Sequence, residues 1–277
     1  MTYKVLIGSP IRQVPNVLEH FLESLNNLKK NNIEVSFYFV DDNEDNTSKI
    51  LLQTFSDNNP QKVLIKKSEA TDKYLCNEDT HFWNEDLIWK VAEYKNTMLS
   101  YCKENNYDYI FFIDSDLVLH PNTLEHLIST NKDIISEIFW TKWHPDAPEL
   151  PQIWLYDQYS LIKQHRKEQL TEQEKAERVN TFLNMLKQPG IYEVGGLGAC
   201  TLISKKALNE NVNFSEISNI SFWGEDRHFS IRAAAIGFKL FVDTTYPAYH
   251  IYRQSNLQGI EKFKNNCITQ ITDKYPN

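Results

Sequence analysis

Tyr107-Asp-Tyr-Ile-Phe-Phe-Ile-Asp-Ser-Asp116 is an apolar run that ends in two carboxylates spaced i, i+2. Ile110 to Ile113 read as a short strand buried on both faces. Asp114 and Asp116 follow at its C-terminal end. In extended backbone, residues i and i+2 point to the same side. Two carboxylates held together at the mouth of a buried sheet repel each other unless a cation lies between them, and a divalent metal is the simplest one. Open parallel sheets bind ligands outside the carboxyl ends of their strands. The expectation is a parallel α/β sheet carrying a metal and an anionic ligand at this edge.

Elements of alternating type flank the stretch. Lys4 to Ile7 is a strand stopped by Gly8-Ser9-Pro10, and Asn16 to Lys30 has a helical period. Val35 to Val40 and Lys62 to Ile65 are strands, with a short helix from Ser48 to Phe55 between them. A helix from Asp86 to Lys103 precedes the aspartate strand. Strand and helix in alternation imply right-handed crossovers in a mostly parallel central sheet flanked by helices. Further on, Pro121 to Thr130 reads as a helix and Asp133 to Phe139 as a strand. Trp140 to Tyr159 reads as a Pro- and Trp-rich loop, and Leu161 to Leu186 as an exposed helical insert, about 161–187. Tyr192 to Ser204 is strand-like, Gly224 to Ile236 helical, and Lys239 to Asp243 a strand. No linker or repeat divides the chain, so residues 1–277 are expected to form one domain with halves 1–116 and 117–277.

The 277 residues carry a net charge of -8, with 41% hydrophobic and 24% charged residues. That is ordinary for a globular protein and argues against nucleic acid as a partner, which needs a basic surface. The four cysteines show no zinc-like spacing, as expected of free thiols in a reducing compartment. No apolar run approaches the ~20 residues of a membrane span. A cytoplasmic protein is expected, with peripheral membrane contact left open.

Three features add chemistry to the aspartates. Glu225 and Asp226 fall in the first turn of a helix, where helix capping and proton abstraction from a hydroxyl are both open readings. Trp223 before them is either a core residue or a platform for a sugar ring. His250 follows a C-terminal strand, and imidazole beside carboxylates tilts the metal toward Mn²⁺ over Mg²⁺. Ser9, Pro10 and Arg12, and Asp41 and Asp42, end strands at the same sheet edge as Asp114. There an Asp could accept hydrogen bonds from a base or a ribose. Two aromatic clusters, His81-Phe-Trp83 with Trp89 and Trp140 to Trp154 with Trp143, could hold an acceptor or simply pin loops.

The ordered set resembles the GT-A (Rossmann-like) glycosyltransferases, of family 2-like kind, over nearly the whole chain. It runs Val5 to Arg12, Val40-Asp-Asp-Asn43, Ala92-Glu-Tyr-Lys-Asn96, Ile113-Asp-Ser-Asp116, Gly195-Gly-Leu-Gly198 ahead of Ile203-Ser-Lys205, Trp223-Gly-Glu-Asp226 with Ile231 to Gly237, then His250. The resemblance implies a metal-dependent hexosyltransferase. It would move sugar from a nucleotide-sugar donor, expected to be UDP-linked, to a glycan, peptide or small-molecule acceptor. Residues 1–116 would bind the donor and 117–277 the acceptor. It assigns Asp114, Asp116 and His250 to Mn²⁺ or Mg²⁺. Ser9, Pro10, Arg12, Asp41, Asp42, Lys95, Asn96, Asp114 and Ser115 go to the donor. Trp223, Gly195, Gly196 and Trp143 go to the acceptor. Asp226 with Glu225 forms the catalytic pair, Asp226 being the base of an inverting reaction. The Gly-rich segment and the Tyr-His end also resemble fungal mannan-synthesising mannosyltransferases, which retain configuration, so retention stays open. A carbohydrate-binding protein without catalysis is the alternative from another class.

Overall fold

A computed structural model describes residues 2–69, 75–76, 81–221 and 224–274, with backbone alone for 75–76 and 270–274. The chain begins β1 (Tyr3–Ile11), α1 (Pro15–Asn26), β2 (Ile33–Asp41), α2 (Asn46–Asn58) and β3 (Val63–Lys67). The short β4 (Leu75–Cys76) and β5 (His81–Phe82) pair with each other before α3 (Glu85–Glu104). Then come β6 (Tyr109–Phe112), β7 (Leu117–Val118), α4 (Thr123–Ser129), β8 (Ile134–Thr141), β9 (Leu150–Pro151), β10 (Ile153–Trp154) and α5 (Glu172–Leu186). The chain closes with β11 (Ile191–Val194), β12 (Gly196–Leu197), β13 (Thr201–Ser204), α6 (Lys205–Asn209), α7 (Glu225–Ala235), β14 (Leu240–His250) and α8 (Ile260–Lys274).

The main sheet runs in the order β11-β14-β8-β13-β6-β1-β2-β3. β3, β2, β1 and β6 are mutually parallel, and β14 is parallel to β8. β13 lies antiparallel between β6 and β8, and β11 is antiparallel to β14. β1 has β2 on one side and β6 on the other, so the strand order reverses there and a crevice opens at the strand ends. The architecture is mixed α/β, as expected.

Alternate residues of each central strand serve two cores. Val5, Ile7, Phe37, Phe39 and Phe111 pack with Leu18 and Phe21 of α1 and Leu52 of α2. Leu6, Tyr38, Val40, Ile110 and Phe112 pack on the other face with Ala92, Met98 and Leu99 of α3 and Phe229 of α7. Burial on both faces explains why these strands read as continuous apolar runs rather than as alternating ones.

Several expectations need correction. The helix expected from Leu161 begins only at Glu172, where Thr171 and Glu174 form a reciprocal capping box. It is no free insert, because Phe182 and Leu186 are buried in the second core. The loop from Trp140 to Tyr159 contains β9 and β10, which pair with β8 and β12. The last strand continues past Asp243 to His250 through a register shift between Asp243 and Ala248. α8 was not anticipated, although Ile260 and Cys267 are both buried on it. Cys102, Cys200 and Cys267 are buried free thiols.

Candidate active site

The ladder of β6 continues one step past its end, where the Ile113 amide donates to the Gly8 carbonyl at 3.1 Å. The chain then turns, with Leu117 N donating to Asp114 O at 3.2 Å. β7 pairs antiparallel with the tail of β14, setting Leu117 opposite His250. That pairing brings His250 Nε2 to 3.3 Å from Asp116 Oδ2. The other ring nitrogen, Nδ1, is 2.9 Å from Thr141 Oγ1, which also accepts from Gln152 Nε2 at 3.1 Å. Such an outer partner holds the ring plane.

Burial opposes the charge of Asp116, but His250 and His81 outweigh it and hold this carboxyl below its ordinary value. Its Oδ1 is nevertheless buried without a hydrogen-bond partner. Asp114 is pushed up to about 6 by burial, against Lys95 and with help from Asp116 and Glu225. An ionised carboxylate with one orphaned oxygen is a place for a cation.

A second cluster lies on the α3 side. Lys95, 2% exposed, donates to Glu225 Oε1 at 2.7 Å and to Asp226 Oδ1 at 3.1 Å. Burial works against this ammonium, yet Asp226, Glu225 and Asp114 together hold it above its ordinary value. Burial first, then Glu225 and Asp114, push Asp226 up to about 7 despite Lys95. Asp226 is thus poised to hold or release a proton near neutrality. Gly224, at φ 118°, caps α7, so both acids occupy its first turn.

Of the residues expected at the donor, Asp42 is almost enclosed. Its Oδ2 accepts from Lys90 Nζ at 2.9 Å and Arg12 NH1 at 3.4 Å. Asp41 faces inward on its own turn, accepting from Asn43 Nδ2 at 2.7 Å. Ser9 and Ser115 are buried, and Ser9 Oγ donates to Pro10 O at 3.3 Å. Asn96 ties down another segment, accepting from Phe214 N and donating to Ser215 Oγ. Asp42 and Arg12 therefore meet at the ends of β2 and β1, Asp116 and His250 meet at the end of β6 with Asp114 on the turn before them, and Asn96 stands apart from both.

The glycines have packing reasons. A Cβ on Gly196 would sit 1.8 Å from the Trp154 ring, and one on Gly195 2.3 Å from Leu155 O. Trp143 is 40% exposed and edges onto Tyr252, on which His81 stacks at 4.1 Å. One member of each aromatic cluster, His81 and Trp143, thus meets Tyr252, whereas Trp89 packs on His228 and Trp154 on Tyr159. Trp223 lies outside the described residues.

Sequence reasoning missed several residues. Lys90 and Tyr94 both reach Asp42, and their i, i+4 spacing on one helix face was a usable signal. Thr141, the partner of His250, had none. Arg227, 3% exposed, reaches back to Asp157 and to the Ser221 carbonyl, clamping the start of α7. Tyr159 lies against the same turn. Burial, Asp226 and Glu225 hold its phenol above the ordinary value.

Among the described residues, no three or more His, Cys, Asp and Glu side chains are gathered into a ready-made metal shell. Nor is any helix among them long and apolar enough to cross a membrane.

Comparison with known proteins bears on both fold and family. The mannosyltransferase PcManGT from Pyrobaculum calidifontis, solved with GDP-Man and Mn²⁺, gives a TM-score of 0.52 at 12% identity, covering 90% of this chain and 57% of that one. S. aureus TarS 1–349 with UDP gives 0.51 at 16% identity, covering 89% and 60%. These likenesses are of fold, and the fold is that of GT-A glycosyltransferases. A glycosyltransferase 25 family member from Aedes aegypti is 28% identical over 138 residues, 48% of this chain and 23% of its own. Procollagen galactosyltransferase 1-A of Xenopus laevis is 28% identical over 136 residues, 48% of this chain and 22% of its own. The chain spans less than a quarter of the length of these relatives. Residues 2–142, just over half of the chain, match the family described as glycosyltransferase family 25, N-terminal domain, and the chain belongs to that family.

Proposed function

We propose that the protein transfers a hexosyl group from a nucleotide-sugar donor, UDP-linked, to an acceptor hydroxyl with inversion, Asp226 being the base. The observation that carries this reading is the Lys95–Glu225–Asp226 cluster beside Asp114. It joins a proton acceptor to the strand end where a diphosphate is expected. The relatives support it through a galactosyltransferase, and the structural neighbours through their GDP-Man and UDP complexes.

The residues present fit a divalent cation, given the orphaned oxygen of Asp116. Asp116 and His250, with Asp114, would hold Mn²⁺ or Mg²⁺. Such a metal, when bound, supplies Lewis-acid stabilisation of charge on the departing diphosphate.

The chain's own residues do the rest. Arg12 and Asp42 border the crevice where the base and ribose would lie. Lys95 fixes the two acids of α7 and neutralises part of their charge. Asp226 takes the acceptor proton as the acceptor oxygen bonds to the sugar carbon and the bond from that carbon to phosphate oxygen breaks. The sugar passes through an oxocarbenium-like state.

The test is turnover of UDP-sugars by Asp226→Asn. Proton transfer of this kind is worth ~10²–10⁴-fold, so the rate should fall by about that factor while UDP binding persists. The wild-type rate should rise as pH climbs through about 7, where Asp226 loses its proton. Near-normal turnover by the variant, or a product of retained configuration, would remove the base role.

A further inference from the structure

The turn from Tyr156 to Ser160 follows β10 and closes on itself, with Ser160 N donating to Tyr156 O at 3.0 Å and Leu155 N to Ser160 O at 2.9 Å. Within it Gln158 and Tyr159 hold φ angles of 55° and 58°. Left-handed backbone is costly for residues with side chains, and two in succession persist where the surroundings fix them. Three successive side chains of the turn engage the start of α7. Asp157 Oδ1 accepts from Arg227 Nε at 2.8 Å. Gln158 Nε2 donates to Ser221 Oγ at 3.2 Å. The Tyr159 hydroxyl lies 2.9 Å from where a Cβ on Gly224 would stand. Asp157 and Gln158 are exposed and Arg227 is buried, so the turn is a strap laid over α7 from outside.

We propose that Tyr159 is a positioning residue for Asp226: seated over Gly224, it fixes the first turn of α7 so that the Asp226 carboxyl faces the acceptor hydroxyl. The inference rests on the transferase reading above and deepens it. Gly224 carries no side chain to cap α7, and an uncapped helix start is readily frayed. Yet Glu225 and Asp226 stand in that first turn. Lys95 holds both acids from the α3 side, at 2.7 and 3.1 Å. Tyr159 closes the turn from the β10 side, in the room that the missing Cβ leaves.

The strap is itself anchored. β10 pairs antiparallel with β12, and buried Trp154 meets the Tyr159 ring edge-on at 4.4 Å. Gly195 and Gly196 lie so close to Leu155 and Trp154 that β10 has no room to slide. The phenol is thus held beside the acid pair. Burial, then Asp226 and Glu225, keep its proton on it against Arg227 and Lys95, so it meets these carboxyls as a neutral group.

The experiment is a double-mutant cycle on the full chain, Tyr159→Phe with Asp226→Asn, read by turnover of UDP-sugars with Mn²⁺, thermal melts confirming that each variant folds. Tyr159→Phe keeps the ring against Trp154 and removes the hydroxyl. Misplacing a reacting group can cost ~10²-fold, so kcat should fall about tenfold or more. KM for the donor should stay within about twofold, and in the Asp226→Asn background the same change should cost less than that, because the group it positions is already lost. Asp157→Asn, which loosens the grip on Arg227 from an exposed position, should repeat the pattern and serves if Tyr159→Phe does not fold. A purely structural tyrosine would lower Tm and act equally in both backgrounds. Equal losses in the two backgrounds, an unchanged kcat, or a loss carried by donor KM alone overturns the proposal and leaves the transferase reading standing. Near-normal turnover by Asp226→Asn alone, or no turnover of any UDP-sugar by the wild type, overturns that reading and the positioning role with it.

Discussion

Replacing Lys95 by Met removes the ammonium that pairs with both Glu225 and Asp226, while leaving an unbranched side chain against the Phe214 ring, 5.0 Å from Nζ. The Lys95, Glu225 and Asp226 side chains are 3%, 13% and 23% exposed. Contacts of 2.7 and 3.1 Å are worth about 6 and about 5 kcal/mol at an effective dielectric of 20, before the cost of desolvation. Removing one partner of a buried pair typically costs ~3–5 kcal/mol, because the other charge is left uncompensated. For a chain of this size that corresponds to a fall of roughly 10 °C in Tm. The loss should also depend on pH. Asp114 and Asp226 are raised in the folded state to about 6 and about 7. The folded chain therefore binds more protons than the unfolded one between the ordinary carboxylate range and those values, and stability falls as pH rises through that window. Without the ammonium both groups rise further and the fall steepens. Thermal melts of wild type and Lys95→Met at pH 5.5 and 8.5 should show the larger gap at pH 8.5, and adding Asp226→Asn should restore part of it. A loss under about 1 kcal/mol, or an equal loss at both pH values, would refute the reasoning, since the deficit would then not be one of uncompensated charge.

Asp116→Ala should abolish any Mn²⁺-dependent UDP thermal shift, and chelation by EDTA should do the same to the wild type; a shift indifferent to both would remove the metal assignment. Gly196→Ala drives a Cβ to 1.8 Å from the Trp154 ring and should lower Tm sharply or prevent folding, read by circular dichroism. Glu137 is fully buried, its Oε2 lacks a partner, and burial with Asp243 beside it holds its carboxyl well above the ordinary value. Its contribution therefore falls as pH rises from the unfolded value, so Glu137→Gln should flatten the decline of Tm toward alkaline pH; an unchanged slope would show that Glu137 is not the group responsible.

The parts of the site that were legible in the sequence are the ones that adjacency writes. Asp114 and Asp116 end an apolar run, and Glu225 and Asp226 open a helix, so their neighbours announce them. Their partners lie far along the chain. Lys95 and Asp226 are 131 positions apart, and only the packing of α3 against α7 joins them. His250 meets Asp116 because a two-residue strand pairs with the tail of β14, and two residues carry no periodicity to read. The direction of β13 was hidden for a related reason. Thr201 to Ser204 are all buried, and a fully buried strand looks the same in either orientation. Other misses were readable. Thr171 and Glu174 stand three apart, as a capping box requires, and mark the start of α5 ten residues after Leu161. Ile260, Phe263 and Cys267 have helical spacing and announce α8.

The family match divides the candidate site in a way that bears on specificity. Residues 2–142 contain Arg12, Asp42, Lys95, Asp114 and Asp116, the groups at the ends of β1, β2 and β6 together with their partner on α3. Asp226 and His250 lie beyond it. A nucleotide diphosphate presents similar chemistry from one donor to the next, so the strand ends that meet it are constrained by a common ligand. Acceptors differ in shape and in the hydroxyl presented, and discrimination among them rests on pocket walls and a few hydrogen bonds. On the proposed reading those walls belong to the later part of the chain, the segment between Thr141 and Leu150 among them, on the same sheet as the proposed donor crevice. Exchanging the segment 143–150, with Trp143 in it, should therefore alter which acceptor is used while leaving the proposed nucleotide binding at Asp42 and Asp116 in place. A change of nucleotide preference from that exchange would mean that the two flanks of β6 are not separate recognition surfaces.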